Sequence, residues 1–221
     1  MAQNDSAVSN QQNLQRLIDT GVVAVIRASS KDQLVGIAEA LIAGGVIGIE
    51  VTMSTPQAIA GIELLAQRLG DRAVVGVGTV LDPATAAAAI AAGAQFVVSP
   101  VFDPSIVSAV KRYGKIVIPG AFTPTEILAA WSGGADVVKV FPSTALGPGY
   151  FKDLLAPLPQ LRLTPTGGVD VSNVGAWIKA GAVFVGAGSA LISSQALATS
   201  DWSSITSKAQ QFIQAIRAAR G

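Results

Sequence analysis

Short apolar runs alternate along the chain with longer amphipathic stretches. The runs fall at residues 22–27, 46–52, 73–78, 95–99, 115–119, 136–141, 161–165 and 182–186. They are rich in Val and Ile and show little polar alternation, as expected of strands buried on both faces of a parallel sheet. Their spacing is that of successive βα units. The junctions carry helix-start chemistry. Thr55-Pro56, Asp82-Pro83, Asp103-Pro104 and Thr123-Pro124 each set a capping side chain before a proline suited to the first helical position. Thr123 and Glu126 also have the spacing of a capping box. Gly44-Gly45, Gly93, Gly114, Gly133-Gly134 and Gly181 stop the helices before the next strand.

Eight such units predict a (β/α)8 TIM barrel forming a single domain over residues 1–221. A lead helix is expected near residues 10–19 and a final amphipathic helix over 201–219, with 1–9 as a flexible N-terminal segment. An open doubly wound sheet is the alternative. Eight near-equal units and no GxGxxG turn after the first run speak against it.

Composition changes this picture in a few places. Half of the residues are hydrophobic and mean hydropathy is +0.52. The longest apolar stretch, residues 84–98, is broken by Gly93 and Gln95 and reads as a helix followed by a strand rather than a membrane span. Net charge is +1 with no basic run, which argues against nucleic acid or a polybasic membrane surface as partner. There is no cysteine, so no disulfide. There is no histidine either, which removes Ser-His and Cys-His catalysis, zinc sites built on His or Cys, and histidine acid/base chemistry. Proton transfer is left to Glu, Asp, Lys, Tyr or water. The polar stretch from Met1 to Gln12 lacks the basic-then-apolar order of a secretion signal, so a cytoplasmic enzyme is expected.

In a barrel of this kind the site lies at the C-terminal ends of the strands. Most charged residues fall on predicted helices, in loops or at strand starts. Three do not: Arg27 ends the first run, Glu50 lies near the end of the second, and Lys139 sits in the second half of the sixth. Side chains alternate along a strand, and an inward layer draws on alternate strands. Glu50 and Lys139 can therefore enter one layer from opposite walls. A lysine in such a run is costly unless it is paired or loses its proton, and a lysine of depressed pKa is a nucleophile toward carbonyls. The alternatives are a buried ion pair, or a lysine whose stem lies on apolar surface with its head in water. Lys115 and Arg162 sit at strand starts and are expected to be solvated.

Two glycine-rich turns follow the last two runs: Thr166-Gly167-Gly168-Val169 and Gly186-Ala187-Gly188-Ser189. Loops at these places in a barrel often hold phosphate through backbone N–H groups, and Ser189 adds a hydroxyl. The alternative is tight turns alone. Thr79, after Gly76-Val77-Gly78, is either a further polar contact or a turn cap.

Ile49-Glu50-Val51-Thr52, Gly76-Val77-Gly78-Thr79-Val80, Val98-Ser99-Pro100, Pro119-Gly120, Val138-Lys139-Val140-Phe141-Pro142-Ser143 and Pro165-Thr166-Gly167-Gly168-Val169 together resemble the KDPG/KHG aldolase family, in the same order and spacing from about Gly21 to Leu191. The resemblance implies a class I aldolase that needs no metal and no cofactor beyond a covalent imine. It would cleave 2-keto-3-deoxy-6-phosphogluconate, a keto-deoxy sugar-acid phosphate, to pyruvate and glyceraldehyde 3-phosphate, and it would be a homotrimer. Carried over by position, Lys139 would form the Schiff base and Glu50 would be the general acid/base, through a water. Thr79 would meet the pyruvyl carboxylate. Arg27, Gly168, Gly188 and Ser189 would hold the phosphate end, with Gly167 beside them. Many members carry an arginine two residues after the Glu-Val-Thr segment; here Ser54 stands there. The segment from Phe141 to Pro148 resembles the galactonate-type members, while the Thr166-Gly167-Gly168 turn resembles the gluconate type. A phosphate-binding isomerase or epimerase with Glu50 as base, and a non-catalytic barrel keeping a structural ion pair, are the readings outside that chemistry.

Overall fold

The computed structural model describes residues 2–221, with side chains from residue 10 onward. Its strands are β1 (Val22–Ile26), β2 (Gly48–Thr52), β3 (Val74–Gly78), β4 (Phe96–Val98), β5 (Ile116–Ile118), β6 (Gly120–Ala121), β7 (Val138–Val140), β8 (Leu163–Pro165) and β9 (Val185–Ala187). Every run expected as a strand overlaps one. The helices are α1 (Ala2–Thr20), α2 (Gln33–Ala43), α3 (Ala58–Leu69), α4 (Pro83–Ala91), α5 (Pro104–Arg112), α6 (Pro124–Ser132), α7 (Gly149–Leu155), α8 (Val174–Lys179), α9 (Ser194–Thr199) and α10 (Trp202–Arg220). The lead helix is longer than expected, and its backbone takes in residues 2–9, for which the sequence predicts a flexible segment. Among the described residues no helix is long and apolar enough to cross a membrane.

All pairings are parallel. They form a six-stranded sheet, β5-β4-β3-β2-β1-β9, and a three-stranded sheet, β6-β7-β8. The expectation of one eight-membered ring is thus met in part, as a curled parallel α/β sheet in two pieces. Prolines explain the breaks, because a proline has no N–H for the ladder. Pro119 closes the fifth run and separates β5 from β6. At Pro165, which ends β8, regular pairing toward β9 gives way to isolated bridges, Leu163 to Ala182 and Thr166 to Gly186.

The alternation of side chains sorts two cores. Val22, Ala24, Ile26, Ile49, Val51, Val75, Val77, Val138 and Val140 pack outward against the helices. Val23, Val74, Phe96, Val98, Ile116, Ile118, Val137 and Phe184 pack inside the curl, where Leu14, Leu17 and Ile18 of α1 join them. Three of the four Pro junctions cap as expected. Asp82 accepts from the Thr85 amide, Asp103 from the Ser105 amide, and Thr123 with Glu126 forms the reciprocal box. Thr55 does not cap α3, which starts at Ala58 behind a left-handed Gln57. Its buried hydroxyl accepts from the Ala28 amide instead, tying the loop after β2 to the loop after β1.

Candidate active site

Glu50 and Lys139 are both inward residues of their strands, β2 and β7, and both are buried, at 4% and 7% exposure. As their parity requires, they line one small cavity with Val23, Val98, Ile118, Thr164, Thr166, Phe184 and Gly186. Glycine makes the room for Glu50. It stands opposite Gly76 in the ladder, and a Cβ on Gly78, the next inward residue of β3, would overlap its carboxylate. The Lys139 ammonium nitrogen lies 4.8 Å from the centre of the Phe141 ring, the next inward residue of its own run.

Among the described residues neither Glu50 nor Lys139 has a salt bridge within 4.0 Å. They act on each other through the field. Burial raises the Glu50 carboxyl above its ordinary value, against the pull of Lys139 and then Arg27. Burial lowers Lys139 below the ordinary lysine value; Glu50 opposes this, and Arg27 adds to it. Each group is pushed toward its neutral form, and for the lysine that form is the nucleophile.

Above this cavity, and sharing Thr166 and Gly186 with it, opens a cleft of about 200 Å³. It is lined by Arg27, Phe141, Gly167, Gly168, Gly188 and Ser189 among others, so the cation and both glycine turns meet in one place. Gly167 and Gly168 have φ of +97° and +73°, a region that side chains avoid. The Gly168 carbonyl accepts from Asn173. A Cβ at Gly188 would stand 3.2 Å from the Arg27 guanidinium, so the absent side chain lets Arg27 lie against the turn. Arg27 and Ser189 are exposed and free to meet a ligand from solvent.

Thr79 differs from the others. It follows β3 but lines neither cavity; it is exposed and holds a left-handed φ of +62°. A β-branched residue rarely adopts this conformation, and the strain is of the kind found at functional turns. Ser54 is tied in as well. The Thr52 hydroxyl donates to the Ile26 carbonyl, which uses its only hydrogen, so Ser54 donates to Thr52 across 2.8 Å. Arg162 is exposed as expected. Lys115 is half-buried, bonded to Gln95 at 2.8 Å, and burial lowers its pKa, so it is less solvated than its place at a strand start suggests.

Sequence reading missed four residues. Thr166 lines both cavities, Phe141 faces the lysine, and Thr164 is the ladder partner of Lys139. The signal for all three was the same inward parity that found Glu50. Ser143 was also missed: its hydroxyl donates to the Val140 carbonyl and accepts from the Thr166 amide, pinning the turn after β7 to the turn after β8.

The family model for KDPG and KHG aldolase matches residues 14–208. The 2-dehydro-3-deoxy-phosphogluconate aldolase of Treponema pallidum is 37% identical over 196 residues, covering 88% of this chain and 93% of that protein. The 2-dehydro-3-deoxy-6-phosphogalactonate aldolase of Escherichia coli is 35% identical over 171 residues, covering 77% and 83%. Among solved structures, the KDPG aldolase of Legionella pneumophila, with pyruvate captured as a covalent carbinolamine intermediate, has a TM-score of 0.81 at 32% identity. That match covers 86% of this chain and 92% of the other.

Proposed function

From the premise that the chain belongs to the KDPG and KHG aldolase family, we propose that it cleaves 2-keto-3-deoxy-6-phosphogluconate to pyruvate and glyceraldehyde 3-phosphate through an imine on Lys139. The carrying observation is the arrangement of Lys139 and Glu50 in one small cavity beneath a cleft walled by Arg27 and two glycine turns. The Legionella relative captured with pyruvate as a carbinolamine supports the covalent step.

The residues account for each stage. Neutral Lys139 adds to the keto carbon, and loss of water leaves an iminium that serves as electron sink. Glu50 accepts the C4 hydroxyl proton, through a water. The C3–C4 bond breaks, its electron pair passing into the enamine as the aldehyde leaves. Protonation at C3 and hydrolysis release pyruvate and the free lysine. Arg27, Gly167, Gly168, Gly188 and Ser189 hold the phosphate, and Thr79 meets the carboxylate near the Ser54–Thr52 pair. No step calls on a metal. The two sheets then act as one closed eight-unit barrel; continuity through Pro119 and the bridges from β8 to β9 support that reading. A homotrimer belongs to it too, and exposed Leu81, Val101, Phe122 and Leu128 supply apolar surface for such contacts.

A second reading keeps the chemistry and changes the epimer to the phosphogalactonate. Its support is the galactonate-like segment from Phe141 to Pro148, together with a phosphogalactonate relative nearly as similar as the phosphogluconate one. Borohydride added with pyruvate should trap one adduct at Lys139, seen by peptide mass spectrometry, and Lys139→Arg should show none. Folded wild-type protein without an adduct would sink the proposal. Cleavage rates on the two epimers then choose between the readings. Turnover that survives Lys139→Arg would instead favour an isomerase.

A further inference from the structure

Among the described residues, four of the six buried hydroxyls are tied to the backbone. Thr52 donates to Ile26, Thr55 accepts from Ala28, Ser99 donates to Val101, and Ser143 donates to Val140. Thr166 reaches the open cleft. Thr164 is the exception: it is 2% exposed, and its hydroxyl has no hydrogen-bond partner in the protein. An unbonded buried hydroxyl carries a desolvation cost that valine, of almost the same shape, would avoid. Thr164 is the ladder partner of Lys139, and it lines the same small cavity as Lys139 and Glu50. That cavity measures about 10 Å³, close to the room of a single water, and a water needs polar partners to stay.

We propose that Thr164 is a positioning residue whose hydroxyl seats one buried water against Glu50, in line for proton transfer at the carbon next to the Lys139 imine. The inference rests on the aldolase reading and extends it to a residue outside the glycine turns and the charged pair. The step it serves is balanced. The water gives a proton to the enamine carbon and takes one from the Glu50 carboxylic acid, the enamine electron pair forms the new C–H bond, and the iminium returns. The Thr164 hydroxyl ends the step as it began, having fixed only the water's place and direction. A relayed proton needs that fixity, since it moves between atoms within hydrogen-bond reach.

Two rates measured on the whole protein separate the possibilities: borohydride trapping with pyruvate, which reads imine formation, and exchange of the pyruvate methyl protons in D2O, read by NMR. For Thr164→Val we expect a melting temperature equal to or above wild type, trapping within about twofold, and exchange slowed about tenfold. Thr164→Ser should restore exchange to within about threefold, because it restores the hydroxyl. Thr164→Ala is the second variant should valine disturb packing, with the same split expected. Exchange in these variants at the wild-type rate overturns the inference. So does a parallel loss of trapping and exchange, which would make Thr164 a support for Lys139 instead. Wild-type protein that neither traps nor exchanges pyruvate would refute the aldolase reading itself.

Discussion

Lys139 and Glu50 are held against the preference of each for water. Placing both in one cavity limits the cost, because each lowers the other's penalty through the field. The stability consequence can be read by removing them in order. In a Lys139→Met background Glu50 is buried without its main opposing charge, so its folded pKa stays above the ordinary 4.5. Between those two values the folded state binds more protons than the unfolded one, so stability falls as pH rises. Adding Glu50→Gln should therefore gain almost nothing below pH 4.5 and progressively more above it, by up to about 1.4 kcal/mol per pH unit until the folded pKa is passed. Urea denaturation from pH 4 to 8 measures this, and a pH-independent difference would contradict it. Lys139 has the opposite sign. Its folded pKa is lowered, so its contribution is lost as pH falls through that value and is complete above 10.5.

At the scale of elements, the Pro-led helices are capped where local chemistry suffices. Thr123→Ala removes the hydroxyl half of the reciprocal box on α6, leaving the residue-123 amide still donating to Glu126, and should cost about 1 kcal/mol by urea denaturation, with aldol cleavage unchanged. Thr55 has the same sequence signature and a different role, because its hydroxyl is claimed by Ala28 across the β1–β2 loops. Thr55→Val should leave a buried amide without its acceptor and cost about 1–3 kcal/mol, more than the cap. Equal losses for the two variants would mean that the bond to Ala28 carries no weight. One further tie had no local signature. The Arg220 guanidinium, at the end of α10, donates to the Ile18 and Asp19 carbonyls at the end of α1, 2.6 Å each, joining the first helix to the last. A cation suits carbonyls left free at a helix C-terminus, but nothing in the sequence near residue 220 announces which helix it will meet.

For the whole molecule, the seam between the two sheets is the sensitive place. Gly120 is the ladder partner of Lys139, and a Cβ there would overlap the Pro100 backbone, which cannot move aside as a flexible side chain can. Gly120→Ala should force β6 away from the end of β4, cost about 1–3 kcal/mol, and slow borohydride trapping at Lys139 as β7 shifts with it. A variant of wild-type stability and trapping rate would show that the seam tolerates displacement. Arg27 belongs to the same scale, since strand neighbours distant in sequence bring it to Gly188. Arg27→Ala should raise KM for the phosphorylated substrate roughly tenfold or more, with a smaller effect on trapping by pyruvate, which has no phosphate.

Periodicity, proline placement and the position of charge within apolar runs are local properties. They were enough to locate the strands, to bring Glu50 and Lys139 into one layer, and to pick out Arg27 and the glycine turns as neighbours. Alternation along a strand has a period of two, so a residue's face follows from counting once the strand is placed. The tertiary structure decided what counting cannot reach. It divided the expected ring at Pro119 and near Pro165, where missing N–H groups interrupt the ladder. It also gave Thr55 to Ala28 rather than to a helix and set Thr79 in a strained turn outside both cavities. It left the Thr164 hydroxyl buried and without a partner beside Lys139. Each of these depends on which atoms stand within about 3 Å of each other across segments far apart in the chain. Hydrogen-bond partners at that range are set by packing, and packing is known only once the whole chain has closed on itself.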